Sequence, residues 1–379
     1  MKKIVWAIAF LLLGQAIAIN YSPVAEFNYE INGKLVTFDA SSSYDLDGYI
    51  VNYTWDFGDG SIGYGIIAVH EYENEGRYNV TLTIYDNSWN MNSTKETIVI
   101  DITPPITNYK LNNINGRNGW CVSSVVLTLN ATDNLSGVNK TYYRLNGGWS
   151  EYNSPLMIFA EGEHTIYYCS MDNSKNIEET KSVVIKIDKT APSTYAVIDK
   201  NSSNGWYNEK INISLYSNDS LSGVEKTYYR VNGGEFLEYS GVLSLGDGKY
   251  LFEFFSIDFA GNFEENKKIQ IKIDTIPPEI TLSPSKGFYI FGRKIFDTER
   301  PFIIGNITVD VEGYDLNGIK LLEFYYDGLF KGNSTSSFAS WEINEFSIGK
   351  HEIKVVAYDF AGNKKIKSEE VYIINLKWT

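Results

Sequence analysis

The chain has 379 residues, rich in Tyr (28) and Phe (20), poor in Met (4) and His (3), with a formal charge of −14. That charge excludes a nucleic-acid partner, which needs basic patches to displace counterions, and disfavours an anionic membrane surface. Aromatic abundance without a long helical period favours strands, and so few histidines leave little for acid–base chemistry.

The chain opens on Lys2 and Lys3, an apolar run from Ile4 to Leu13, and a small-x-small site at Ala16-Ile17-Ala18. This reads as a signal peptide over residues 1–18. A retained anchor is the alternative, but Gly14 and Gln15 break the run short of a comfortable span. The C-terminus offers no second anchor, so the mature chain is expected outside the cell with no membrane-spanning segment.

Beyond the leader, one signature recurs four times: Gly76-Tyr78-Asp86, Gly162-His164-Asp172, Gly248-Tyr250-Asp258 and Gly349-His351-Asp359. Each Asp is followed four residues on by Asn, at Asn90, Asn176, Asn262 and Asn363. Alternation between Gly and Asp predicts a half-buried strand closed by an Asx-type turn. Four copies mean four β-modules, placed at residues 19–102, 103–190, 191–276 and 277–379. The architecture expected is all-β, a tandem array of four immunoglobulin-like β-sandwiches.

In the first module, Val36-Thr37-Phe38-Asp39-Ala40-Ser41 leads to Trp55-Asp56-Phe57-Gly58-Asp59-Gly60 and on through His70-Glu71-Tyr72. Trp55 and Phe57 share one strand face, and the Gly58-Asp59-Gly60 turn reverses the chain. Asp45, Asp47, Asp56 and Asp59 form the densest acidic set, a candidate calcium site. Trp89, inside the end-turn, is a candidate ligand-stacking residue. This module resembles the PKD (polycystic-kidney-disease) repeat, which implies a seven-stranded sandwich on an extracellular protein.

The second and third modules repeat at an offset of 86 residues: Asn118-Gly119-Trp120 with Asn204-Gly205-Trp206, and Lys140-Thr141-Tyr142-Tyr143-Arg144 with Lys226-Thr227-Tyr228-Tyr229-Arg230. Asn146-Gly147-Gly148 and Asn232-Gly233-Gly234 mark hairpins, because type I′ turns need positive φ. Trp120 and Trp206 repeat and are assigned to the core. Trp149 does not repeat, and joins Trp89 as a candidate for sugar or protein contact. These modules, and loosely the fourth, resemble immunoglobulin-like bacterial and archaeal cell-surface repeats. That resemblance implies location and fold, and says little about ligand.

Proline-containing linkers begin Asp101-Ile102-Thr103-Pro104-Pro105, Asp188-Lys189-Thr190-Ala191-Pro192 and Asp274-Thr275-Ile276-Pro277-Pro278. They are short and stiff, so a rod of somewhat over ~120 Å is expected from strands rising ~3.3 Å per residue. The Asp-to-Asn end-turns take Asx hydrogen bonding as their first reading. Calcium, with Asp133, Asn134 or Asp219 adding oxygens, is the alternative. Beyond a possible calcium ion, no cofactor is expected. Cys121 and Cys169 are read as a surface-facing disulfide, worth about 4 kcal/mol by chain entropy.

Asn-x-Ser/Thr sequons stand at Asn20, Asn52, Asn79, Asn92, Asn130, Asn134, Asn139, Asn201, Asn212, Asn218, Asn306 and Asn333. Of these Asn52, Asn79, Asn92, Asn130, Asn212, Asn306 and Asn333 are the main glycosylation candidates. His164 and His351 replace Tyr78 and Tyr250 at one slot, which points to packing plus a hydrogen bond. No catalytic residue emerges. The expected role is a non-catalytic surface scaffold, structural, adhesive or protein-binding, with a cell-envelope protein or surface polysaccharide as partner. A polysaccharide-binding array, or an accessory subunit of a secreted hydrolase, is the alternative.

Overall fold

The computed structural model describes residues 20–376, so the leader read at residues 1–18 lies outside the described residues. Every regular element among them is a strand. The chain divides into two compact units: Met1–Ile114 with Ser123–Ile187, and Asn115–Val122 with Asp188–Thr379. Residues 115–122, placed in the second module from sequence, therefore count with the second unit. There Arg117 N–H donates to Ala260 O at 3.1 Å and Asn118 Nδ2 to Phe259 O at 2.9 Å.

In the first unit, strands Asn28–Asn32, Leu35–Asp39 and Ile67–Glu71 form one sheet of the first module. Ile62–Tyr64, Ile50–Asp56, Gly76–Asp86 and Met91–Ile100 form the other, in that order. Seven strands match the PKD resemblance. Alternate residues Val36 and Phe38, Val80, Leu82 and Ile84 are buried between the sheets around Trp55, as period two requires. The Trp55 indole N–H donates to Gly65 O at 2.9 Å, so the ring is buried without losing its polar bond. The second module repeats the plan. Leu156–Ile158, Val125–Thr132 and Ile106–Asn112 form one sheet, and Ser150–Glu151, Val138–Arg144, Gly162–Asp172 and Lys181–Ile187 lie in the other.

In the second unit, the third module pairs a sheet of Ser193–Ile198, Ile211–Asn218 and Leu243–Leu245 with one of Leu237–Glu238, Val224–Val231, Gly248–Asp258 and Lys267–Ile273. The fourth enlarges it. Ser347–Asp359 sits in a seven-stranded sheet, where Phe288–Ile290 and Phe302–Ile304 add parallel pairs beside Lys364–Asn375.

One strand paired with each Gly-to-Asp strand carries a register shift at the same place: Ile50/Asn52, Val138/Lys140, Val224/Lys226 and Ile319/Leu321. Each shift lies beside the partner of an end-turn aspartate: Asp86, Asp172, Asp258 or Asp359. Such bulges re-aim side chains at functional edges.

The hydrogen bond expected at the Tyr/His slot is made. Tyr78 Oη donates to Asn74 O at 2.8 Å, Tyr250 Oη to Asp247 O at 3.1 Å, and His164 Nε2 to Ala160 O at 2.8 Å. His351 departs from the pattern and bonds the Asp327 carboxylate through Nδ1 at 2.7 Å. In the third module the glycine two residues earlier is required by this ring. At Gly248, φ is +150° and a Cβ would lie 2.9 Å from the Tyr250 ring.

Cys121 and Cys169 are free thiols, both buried, which corrects the expected surface disulfide. Strand parity had pointed Cys169 outward, but Tyr142 stands opposite it and Thr180 bonds its sulfur. That sheet face is itself covered. Burial raises both thiol pKa values, as apolar surroundings do for an unreactive cysteine.

Candidate metal centres

Each of the last three modules gathers three aspartates at its N-terminal pole, drawn from three separate stretches of sequence. The sets are Asp101, Asp133 and Asp172; Asp188, Asp219 and Asp258; and Asp274, Asp315 and Asp359. Within each, one carboxylate oxygen per residue lies within 4.8 Å of the others. The first member opens the proline linker, the second sits in the loop before the bulged strand, and the third ends the Gly-to-Asp strand.

The wiring repeats. In the second module, Asp172 Oδ1 accepts Asn176 N–H at 2.8 Å and Oδ2 accepts Asn176 Nδ2 at 2.7 Å. The same amide donates to Asp101 O at 2.9 Å, and Asn262 and Asn363 do the same for Asp188 and Asp274. The linker carboxylate is held in turn by the new module: Asp101 Oδ2 accepts Ser136 N–H, Asp188 Oδ2 accepts Ser222 N–H and Asp274 Oδ2 accepts Asn317 Nδ2. The loop aspartate spends one oxygen on its own turn. Asp133 Oδ1 accepts from Leu135 and Gly137, Asp219 Oδ1 from Leu221 and Gly223, and Asp315 Oδ1 from Asn317 and Gly318. Gly137, Gly223 and Gly318 all have positive φ, at 84°, 83° and 102°, a conformation glycine adopts without strain. Among the described residues, no N–H donates to Oδ2 of any of these three loop aspartates.

Electrostatics decides what these clusters want. At 4.8 Å two carboxylates repel by about 3.5 kcal/mol at an effective dielectric constant of about 20. The linker and end-turn aspartates are buried, which weakens screening by water. Asp315 shows the result: burial, then the Asp274 and Asp359 charges, push its carboxyl above the usual range. A divalent cation among the three would reverse the sign of that interaction. The donors are all oxygen, which suits a hard ion rather than zinc or copper. Calcium accepts six to eight oxygens in flexible geometry, with water completing the shell.

The acidic quartet picked from sequence is not assembled. Asp45 and Asp47 precede strand Ile50–Asp56, whereas Asp56 ends it and Asp59 follows, so about 20 Å of extended chain separates the pairs. Asp56 Oδ1 accepts Gly58 N–H, Asp59 Oδ1 accepts Ser61 N–H, and Asp59 Oδ2 bonds His70 at 2.7 Å, while Asp47 accepts Tyr21 N–H. Asp45 and Asp86 occupy the places of Asp133 and Asp172, but no Asp precedes Pro23 to complete a set. The sequence reading had paired the end-turn aspartates with Asp133 or Asp219 as its calcium alternative, but the third member of each cluster was missed because the linker aspartates read only as boundary markers. Their recurrence at Asp101, Asp188 and Asp274 was the available signal.

Trp89 is 76% exposed, and its ring meets Tyr85 edge-on. Trp149 is also exposed, but the Arg144 guanidinium lies 5.4 Å above its ring and 4.5 Å above Tyr167. The two tryptophans belong to different modules and form no common site. Trp206 is buried beneath Lys249 and Lys272, while Trp120 is half-buried. Every sequon asparagine, including Asn52, Asn79, Asn92, Asn130, Asn212, Asn306 and Asn333, is exposed.

This fold and these clusters define an array of β-sandwich modules of a kind used as non-catalytic building blocks. Residues 20–102 match the PKD domain family, and the first module is a PKD domain. The chain is 32% identical over 130 residues to the Pre-pro-metalloprotease PrtV of Vibrio cholerae, covering 34% of this chain and 13% of that protein. It is 36% identical over 84 residues to the collagenase ColQ1 of Bacillus cereus, covering 21% and 9%. Among solved structures, the PKD1 domain of Vibrio anguillarum Epp is 33% identical, covering 22% of this chain and 99% of that one, with a TM-score of 0.22. The chain thus spans a small fraction of the length of these curated relatives.

Proposed function

We propose that this protein is an exported, non-catalytic scaffold at the cell surface, in which divalent cations, most fittingly calcium, lock each of the last three modules to the linker that precedes it. The observation that carries the reading is the threefold repetition of one aspartate set, each with an uncapped loop oxygen. A scaffold role is also supported by the histidines, each committed to a local contact: His70 to Asp59 and the Phe57 ring, His164 to Ala160, His351 to Asp327. The leader-like N-terminus and the exposed sequons support export. Because the matching relatives are named as a metalloprotease and a collagenase, a place beside a separate hydrolase is the second reading. Co-purification of proteolytic activity from the native source would favour it.

Calorimetric titration of the chelator-treated protein with calcium tests the cation reading, with three equivalents expected. At a hundred times Kd, calcium should stabilise each site it occupies by about 2.7 kcal/mol. Asp315→Asn should keep its turn and lower the stoichiometry to two. An unchanged melting temperature on adding millimolar calcium would sink the proposal.

A further inference from the structure

The second and third modules carry an arginine at the same position of the bulged strand, Arg144 and Arg230. In the third module Arg230 is answered within its own sheet. Its Nε donates to Glu253 Oε2 at 2.6 Å and its Nη2 to Glu253 Oε1 at 3.1 Å, a two-point fork on one carboxylate. The Phe236 ring lies 4.4 Å from the guanidinium carbon, and Lys268 and Asn266 hold the same carboxylate. The second module keeps the arginine and discards these partners. Tyr167 stands at the position of Glu253, Ser182 at that of Lys268 and Thr180 at that of Asn266. Arg144 is held by rings instead, 5.4 Å from Trp149 and 4.5 Å from Tyr167. Among the described residues, none accepts a hydrogen bond from its guanidinium. Stacking uses the flat face of that group, and the N–H donors in its plane are left over. Rings that fix the fork also spare an incoming carboxylate much of the cost of ordering it.

The sheet face around Arg144 selects the ligand. Lys140, Tyr142 and Arg144 share one face of strand Val138–Arg144, opposite Met171, Cys169 and Tyr167. Neighbouring charges on that face are already spent, Lys140 on Glu151 at 2.8 Å and Lys186 on Glu163 at 2.6 Å. Arg144 therefore leaves a local positive charge on a chain that is acidic as a whole, and such a patch draws an anion. Ser182 lies opposite Tyr167, and the exposed Val184 continues the face. An acidic sugar would bring hydroxyls that each need a partner, and paired neighbours supply few. The stem of an acidic side chain needs none and packs on Tyr167 and Val184. Glu253 is the internal precedent, a glutamate carboxylate seated on the equivalent arginine.

We infer that the second module carries a carboxylate-recognition site, in which Arg144, stacked on Trp149 and Tyr167, receives a glutamate or aspartate side chain of a protein partner. The inference rests on the scaffold reading for the protein partner alone and requires no bound cation. The isotope-labelled full chain, with and without calcium, is titrated with N-acetylglutamate α-amide, N-acetylglutamine α-amide, galacturonate and inorganic phosphate. The Arg144 Nε–H and Trp149 indole N–H resonances are followed. Both should shift saturably with the glutamate derivative and stay in place with the glutamine one. Arg144→Lys, read at Trp149, should weaken binding about tenfold, because a point charge replaces a two-donor fork. Tyr167→Glu supplies the third module's carboxylate in cis, and should abolish the response without lowering the melting temperature. No saturable shift, an equal response to the glutamine derivative, tighter binding of galacturonate or phosphate, or undiminished binding by either variant overturns the inference. Calcium stoichiometry is read separately by calorimetry, so failure here leaves the cation reading standing, and the reverse holds.

Discussion

Glu253 is almost wholly buried on strand Gly248–Asp258 and is answered by Arg230 at 2.6 Å, Lys268 at 3.0 Å and Asn266 at 3.0 Å. Hydrogen bonds from Arg230 and Lys268 outweigh its desolvation and hold its carboxyl down at about 2. An unfolded glutamate titrates near pH ~4.3, so the folded value is the lower one. The pair therefore stabilises the third module fully above that pH, and the contribution is lost as pH falls towards 2. Melting temperature against pH should decline through this window, and Glu253→Gln should flatten the decline; equal slopes would show that the pair contributes nothing. The second module holds Tyr167 in the same slot, where it stacks under Arg144, so its stability should lack this term. Trp55 is fully buried in the first module, and Trp55→Ala should cost about 3–5 kcal/mol, measurable by denaturant titration. Trp89 has a φ of 65°, and Trp89→Gly, by contrast, trades relief of that left-handed strain against backbone entropy, each about 1 kcal/mol. Its net effect on stability should be small.

At the scale of the element, the end-turn was the part most legible from sequence. Asp followed by Asn four residues on predicted an Asx-type turn, and all four form with both carboxylate oxygens engaged. The bulge beside each turn was not legible, because alternation of apolar residues tolerates one inserted residue without a compositional mark. Nor was the second task of the turn asparagine, since its partner lies 74 residues away at Asp188 and 89 away at Asp274. Asn363→Ala removes donors to both Asp359 Oδ2 and Asp274 O. A loss of about 2 kcal/mol is expected from the charged bond and its neighbour, together with weaker calcium binding at that pole. Unchanged calcium affinity would show that the asparagine serves the turn alone. Parity misled at Cys169 for a related reason: period two assigns a face, but whether that face is open depends on what packs over it.

For the whole molecule, two units with separate cores should melt as more than one transition in calorimetry; one transition with equal van't Hoff and calorimetric enthalpies would contradict this. The all-β tandem-sandwich plan and the PKD character of the first module were legible in local residue patterns. Period-two alternation, turn chemistry and Asn-Gly hairpins act over a few residues, so they survive in a linear reading. Which carboxylates meet did not survive it. Asp56 and Asp59 are close to Asp45 and Asp47 in sequence, yet a strand holds them apart, whereas Asp274, Asp315 and Asp359 converge from distant stretches. Only sheet pairing and the return of the linker onto the next module bring like charges that close. The positive φ at Trp89 came to light in the same way, because a tryptophan looks ordinary in sequence until its backbone is seen.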